Sequence, residues 1–172
     1  MKVKGKIALI TGAASGIGRA LANEFAKREA DKIVLVDRSD AAYELAQSLN
    51  DRSGREIAIV KIGNAANETF RTQVFDEVTA EHGVASICVP AAGITRDALA
   101  VKFNKETRKA EPYSITTFRE VTEVNLIAPI YWAIEMIVRI AEDRAQHGLG
   151  RWEPEESVQG AIVFIGSVSS QG

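Results

Sequence analysis

The feature that most restricts this chain is a strand, a glycine turn and a helix in direct succession. "KIALIT" (6–11) runs into "TGAASGIG" (11–18), after which Ile17, Leu21 and Phe25 recur every four residues. The apolar run does not alternate in polarity, which marks a strand buried on both faces. In the turn, Gly12 lets the backbone leave the strand sharply, Gly16 lets a pyrophosphate approach without a side chain in the way, and Gly18 lets the helix close on the sheet. The free N–H groups and positive dipole end of that helix then face the phosphates. Ser15 and Ile17 share the turn and join the three glycines as candidate contacts for a bound dinucleotide.

The alternation of strand and helix continues down the chain. "KIVLVD" (32–37), "EIAIVKI" (56–62), "VASICVPAAG" (84–93) and "AIVFIGS" (161–167) read as four more strands. Between them, Leu45 and Leu49 mark a second helix with Ser39 or Asp40 as its cap. Asn67 caps a third, with Phe70, Val74 and Val78 on one face. A long helix runs from Ile115 to Glu142, with Thr117 and Glu120 forming a capping box. The expected architecture is α/β, a Rossmann-type doubly wound parallel sheet in three layers, α/β/α. Residues 1–172 form a single NAD(P)-binding domain that ends after the fifth strand. Two charged stretches, 102–114 and 144–157, read as surface loops; the first lies beside the C-terminal edge of the sheet, where ligands of such folds bind.

Asp37 closes the second strand nineteen residues after Gly18, where a carboxylate accepts hydrogen bonds from the ribose hydroxyls of an adenosine half. A 2'-phosphate there meets negative charge, which favours NAD, while the adjacent Arg38 is placed to serve NADP. Small molecules or protein are the expected partners. With 21 basic and 23 acidic side chains mixed along 172 residues, no basic stripe suggests nucleic acid. Cys88, the lone cysteine, sits in an apolar run and fits a buried core residue in a reducing compartment. His82 and His147 are isolated, with no second ligand at metal-binding spacing. The apolar run from Leu126 to Ile140 carries Glu135 and Arg139 and falls short of a membrane span of ~20 residues. No signal peptide precedes the first strand, and a soluble cytoplasmic protein is expected.

Taken together, these residues resemble the short-chain dehydrogenase/reductase family, in its form with TG-x-x-x-G-x-G at the first turn, from about Lys6 to Gly172. The resemblance implies a place near the adenine for Asn64, where the family usually has Asp, and for Ala65 beside it. "PAAG" (90–93) is similar to the family's N-N-A-G segment, with Pro90 and Ala91 replacing both asparagines and Ala92 and Gly93 retained at the cofactor. "AGITRD" is similar to bacterial 3-oxoacyl-acyl-carrier-protein reductases and implies an acyl-thioester or secondary alcohol substrate. By the same resemblance, Asn125 in "VTEVNL" orders a proton-relay water, and Ser167 in "IGSVSS" polarises the substrate carbonyl. Ser169 and Ser170 then fall in a turn.

The family's proton donor is a tyrosine followed four residues on by lysine. Here Tyr43 is followed by Gln47, Tyr113 by Thr117 and Tyr131 by Glu135. The expectation is therefore the N-terminal portion of a longer dehydrogenase, its C-terminal part missing and these 172 residues inactive alone. From Ile127 to Ile140 the long helix is apolar almost all round, so a second copy is expected on its outer side, giving a homodimer or homotetramer. Two other readings remain: a non-catalytic dinucleotide-binding or sensing module, and a structural partner subunit with no need of Asp37.

Overall fold

The computed structural model describes residues 2–167, so Ser169 and Ser170 lie outside the described residues. Parallel strands β1 (Ile7–Thr11), β2 (Lys32–Asp37), β3 (Ala58–Ile62) and β4 (Ile87–Pro90) alternate with helices α1 (Gly16–Lys27), α2 (Ala41–Ser53) and α3 (Glu68–His82). A hairpin follows, β5 (Val101–Asn104) and β6 (Lys109–Pro112), then α4 (Ile115–Thr122), a π-helical turn (Glu123–Ile127), α5 (Ala128–Gln146) and β7 (Ala161–Ile162). The five parallel strands lie in the order β3-β2-β1-β4-β7. The chain reverses direction across the sheet between β1 and β4, which opens a crevice at their carboxyl ends.

Continuous apolar strands are explained by burial on two sides. Ala8, Ile10, Ile33 and Leu35 face a core made with Phe25, Leu45 and Leu49 of α1 and α2. Their neighbours Leu9, Val34, Val36 and Cys88 face the opposite core with Val74, Phe75, Trp132 and Met136 of α3 and α5. Side chains alternate across a strand, so both sets must be apolar when both faces are covered. The Cys88 thiol is fully buried, and burial pushes its pKa up to about 12.

Several local expectations change. Residues 102–114 hold a hairpin, with Val101 and Phe103 facing Pro112 and Ala110 across the pair. The helix expected over 115–142 runs on to Gln146 and is interrupted after its second turn by the π segment. Its cap is Ser114, whose hydroxyl accepts from the Thr117 N–H, in place of a Thr117–Glu120 box. Asn67 caps α3 as expected; at α2 the Ser39 hydroxyl accepts the Ala41 N–H at 3.3 Å, and Asp40 makes no capping side-chain bond. Ile17 is exposed in the crevice, and Gly18, Ala22 and Phe25 form the buried face of α1.

The fifth strand is shorter than its apolar run. Val163 N–H still donates to the Cys88 carbonyl, but Phe164 and Ile165 are exposed. In the register Cys88↔Ile162 the next rung falls at Pro90, which has no N–H to give. The helical run 115–146 is long and apolar enough to cross a membrane by length and composition, with a mean hydropathy of 1.5. Its Ala128, Trp132 and Met136 face is buried against the sheet, so it is a helix of the core.

Candidate functional site

The crevice holds a cavity of about 450 Å³, within the ~300–1,000 Å³ typical of small-ligand sites. Every residue that the sequence offers for the cofactor lines it: Gly12, Ser15, Gly16, Ile17 and Gly18 after β1, Asp37 and Arg38 after β2, Asn64 and Ala65 after β3, and Ala92 and Gly93 after β4. The three glycines divide their work as their surroundings dictate. Gly12 has φ +66°, and a Cβ there would meet the Ala92 backbone at 2.8 Å. A Cβ on Gly18 would lie 2.2 Å from the Gly12 carbonyl oxygen. Gly16, at φ +49°, has nothing within 4 Å: its missing side chain leaves space open to a ligand beside the start of α1.

Asp37 is held in place by the turn it faces. One carboxylate oxygen accepts from the Ala14 N–H at 2.9 Å and the other from the Ser39 N–H at 3.0 Å. Each oxygen keeps a further lone pair for a ligand. Asn64 turns its Oδ1 back onto the Ala66 N–H, 3.1 Å away, and so shapes its own loop. Thr11, buried at the end of β1, ties the two sides of the crevice together by accepting the Ala92 N–H at 3.0 Å.

A second cavity, of about 620 Å³, shares the wall 91–94 with the first and brings Asn125 together with Ser167, Phe164 and Ile165. The π turn adds a residue to the helix, and such turns redirect the side chains they carry. Asn125 is exposed at this wall. Its Oδ1 accepts the Ile94 N–H at 2.8 Å and its amide donates to the Ile94 carbonyl at 2.7 Å. By pairing with both the N–H and the carbonyl of Ile94, the amide fixes the loop after β4.

Sequence reasoning missed several contributors. Glu120 and Val124 also line the first cavity, and Glu120 pairs with Arg96 at 3.7 Å. A third cavity of about 570 Å³ opens between Ile94, Arg96, Tyr113, Phe118 and Asn125, where the Tyr113 hydroxyl donates to the Arg96 carbonyl at 2.7 Å. The one available signal was the aromatic pair flanking the start of α4. Of the other tyrosines, Tyr43 is exposed on α2 and Tyr131 lies under the Arg71 guanidinium, 5.2 Å from the ring centre.

A family model described as short chain dehydrogenase matches residues 6–172. An 11-beta-hydroxysteroid dehydrogenase A from Sesamum indicum is 30% identical over 98% of this chain and 41% of its own length. A 3-oxoacyl-[acyl-carrier-protein] reductase from Vibrio cholerae is 36% identical over 62% of this chain and 41% of its own. Among solved structures, a gluconate 5-dehydrogenase from Burkholderia cenocepacia, in complex with NADP and tartrate, superposes with a TM-score of 0.74 at 26% identity. That match covers 99% of this chain and 56% of the other. The chain spans about two fifths of the length of the curated relatives it matches first, 40% and 41% of them.

Proposed function

This chain belongs to the short chain dehydrogenase family, whose members are NAD(P)-binding oxidoreductases, and from that premise we propose that the protein interconverts a carbonyl compound and a secondary alcohol with NAD(P). The observation that carries the reading is the joining of two cavities along residues 91–94, one with the open Gly16 cradle and the other with Asn125 and Ser167. The cofactor supplies or takes up the hydride. Gly16 and the first turn of α1 hold its phosphates, and Asp37 receives a ribose hydroxyl. Because two N–H groups hold the Asp37 carboxylate, it does not swing away from a 2'-phosphate, and this favours NAD. Arg38 lines the same cavity and offers NADP a counter-charge, and the gluconate 5-dehydrogenase neighbour is in complex with NADP.

Ser167 is assigned to donate a hydrogen bond to the substrate oxygen, and Asn125 to hold Ile94 and the wall between the cavities. The oxygen also needs a proton. None of the three tyrosines among these 172 residues has lysine four residues on, and the proton donor is not assigned to any of them. The substrate is proposed to be a 3-oxoacyl thioester, on the likeness of "AGITRD" and of the reductase relatives. A cytoplasmic location is part of the same proposal, since this substrate belongs to acyl-carrier chemistry and the lone Cys88 forms no internal disulfide.

The outer side of α5 leaves Ile130, Ile134 and Ile137 exposed in a stripe, and a second copy is proposed to cover it. Sedimentation of the full-length protein as a monomer would remove that part. The central test is dinucleotide binding and substrate-dependent oxidation of NADH or NADPH by the full-length protein with a 3-oxoacyl thioester. Turnover is expected. Tight dinucleotide binding with no turnover on any carbonyl substrate would make the protein a sensing module.

A further inference from the structure

The loop after β3, residues 63–67, is fixed from behind the crevice. Gly63 N–H donates to the Asp37 carbonyl at 2.8 Å, so this loop continues outward from the point where Asp37 faces the cavity. A dinucleotide laid along the strand ends, with its pyrophosphate at α1 and a ribose at Asp37, puts its base one strand further out, at Asn64 and Ala65.

Trp132 of α5 reaches this loop through the core. Its ring is fully buried, and its indole N–H donates to the Ala65 carbonyl at 2.8 Å. Phe70 and Phe75 flank the indole, with ring centres 6.5 and 5.6 Å away, which sets its orientation. Phe70 in turn packs so closely on Gly63 that a Cβ there would lie 2.5 Å from the ring. Ala65 thus has its carbonyl pulled into the core while the residue itself lines the cavity. Its neighbour Asn64 is turned by the bond to Ala66.

We infer that Trp132 is a positioning residue for recognition of the adenine edge, acting through Ala65 and Asn64 without touching the ligand. The inference rests on the dinucleotide reading above. A merely structural tryptophan lowers affinity for any dinucleotide alike when altered. A positioning tryptophan lowers it for the base whose edge the loop matches.

The test compares full-length protein with Trp132→Phe, measuring Kd by calorimetry for NADH, for AMP and for the reduced hypoxanthine analogue, which carries an oxo group in place of the 6-amino group. Wild type is expected to prefer the adenine form. In Trp132→Phe the Kd for NADH and AMP should rise about five- to tenfold, the scale of one lost hydrogen bond, while the analogue changes little. Benzothienylalanine at position 132 keeps the ring shape and removes only the N–H, so it gives the same answer if the phenylalanine variant fails to fold. Equal weakening for both bases, or no weakening, overturns the inference, as does a wild type indifferent to the base. A wild type that binds neither AMP nor NADH overturns the dinucleotide reading itself.

Discussion

The two sides of the sheet obey the same packing rules and end differently. On the β1–β2–β3 side, every residue of β1 and the central four of β2 are buried, and the cavity is lined by backbone turns, a carboxylate fixed by two N–H groups, Arg38 and Asn64. On the β4–β7 side only two residues of β7 pair, Val163 to Ile165 are exposed, and α4 shows Ile115 and Phe118 to solvent. A phosphate cradle needs only tight backbone geometry over a finished core. A substrate site needs side chains brought from several distant loops, and the walls of the cavity proposed for it are a clamped loop, a π turn and an exposed strand end.

The strongest way to break this contrast is at the glycines. Gly18→Val puts a branched side chain where a Cβ alone would sit 2.2 Å from a carbonyl oxygen. Overpacking costs ~1–3 kcal/mol or more, and loss of folding in thermal melts is expected. Gly16→Ala meets no atom within 4 Å and carries the ~1–2 kcal/mol strain of a left-handed residue. It should fold and bind NADH at least about tenfold more weakly. Equal damage to folding by both would mean that Gly16 is not a ligand cradle.

Next in size is Ser167→Ala in the full-length protein, which should lower kcat by ~10²–10³ and leave the Kd for NADH within about twofold. A matching loss of NADH affinity would join Ser167 to the cofactor side instead. Smaller again is Asp37→Asn, which removes the charge facing a 2'-phosphate and should shift the ratio of NADPH to NADH affinity by about tenfold, or ~1.4 kcal/mol. An unchanged ratio would assign the choice to Arg38.

The smallest effect lies furthest from the crevice. Arg144 binds Glu156 through two nitrogens and holds the Gly150 carbonyl, which closes the loop after α5. The hydrogen bond from Arg144 keeps the Glu156 carboxyl below its ordinary pKa. A lowered carboxyl pKa stabilises the fold above the unfolded value and loses that contribution as pH falls through the folded one. Trp152 fluorescence on the same loop should therefore change below the ordinary carboxylate range, before the sheet unfolds, and Glu156→Gln should abolish that early step.

The pattern of residues made the β1–β2 side of the crevice legible because each decision there is local. A glycine turn between strand and helix and an acid nineteen residues on are set by backbone geometry that a short window encodes. The Asn67 cap and the buried Cys88 were legible for the same reason. The hairpin at 101–112 was not, since its strands are charged and exposed and its pairing shows in no single-strand pattern. Nor was the π turn, whose Asn125 bonds Ile94, 31 residues away.

The sequence by itself determined the parallel sheet, its order of strands and the glycine turn, because hydrophobic runs and missing side chains act through neighbours a few residues away. Tertiary structure alone decided that Trp132 holds Ala65 across 67 residues, that Asn125 clasps Ile94, and that Pro90 ends the pairing of the fifth strand. Those outcomes depend on which donor finds which carbonyl once the layers have packed, and a hydrogen bond between distant residues leaves no periodicity in the chain.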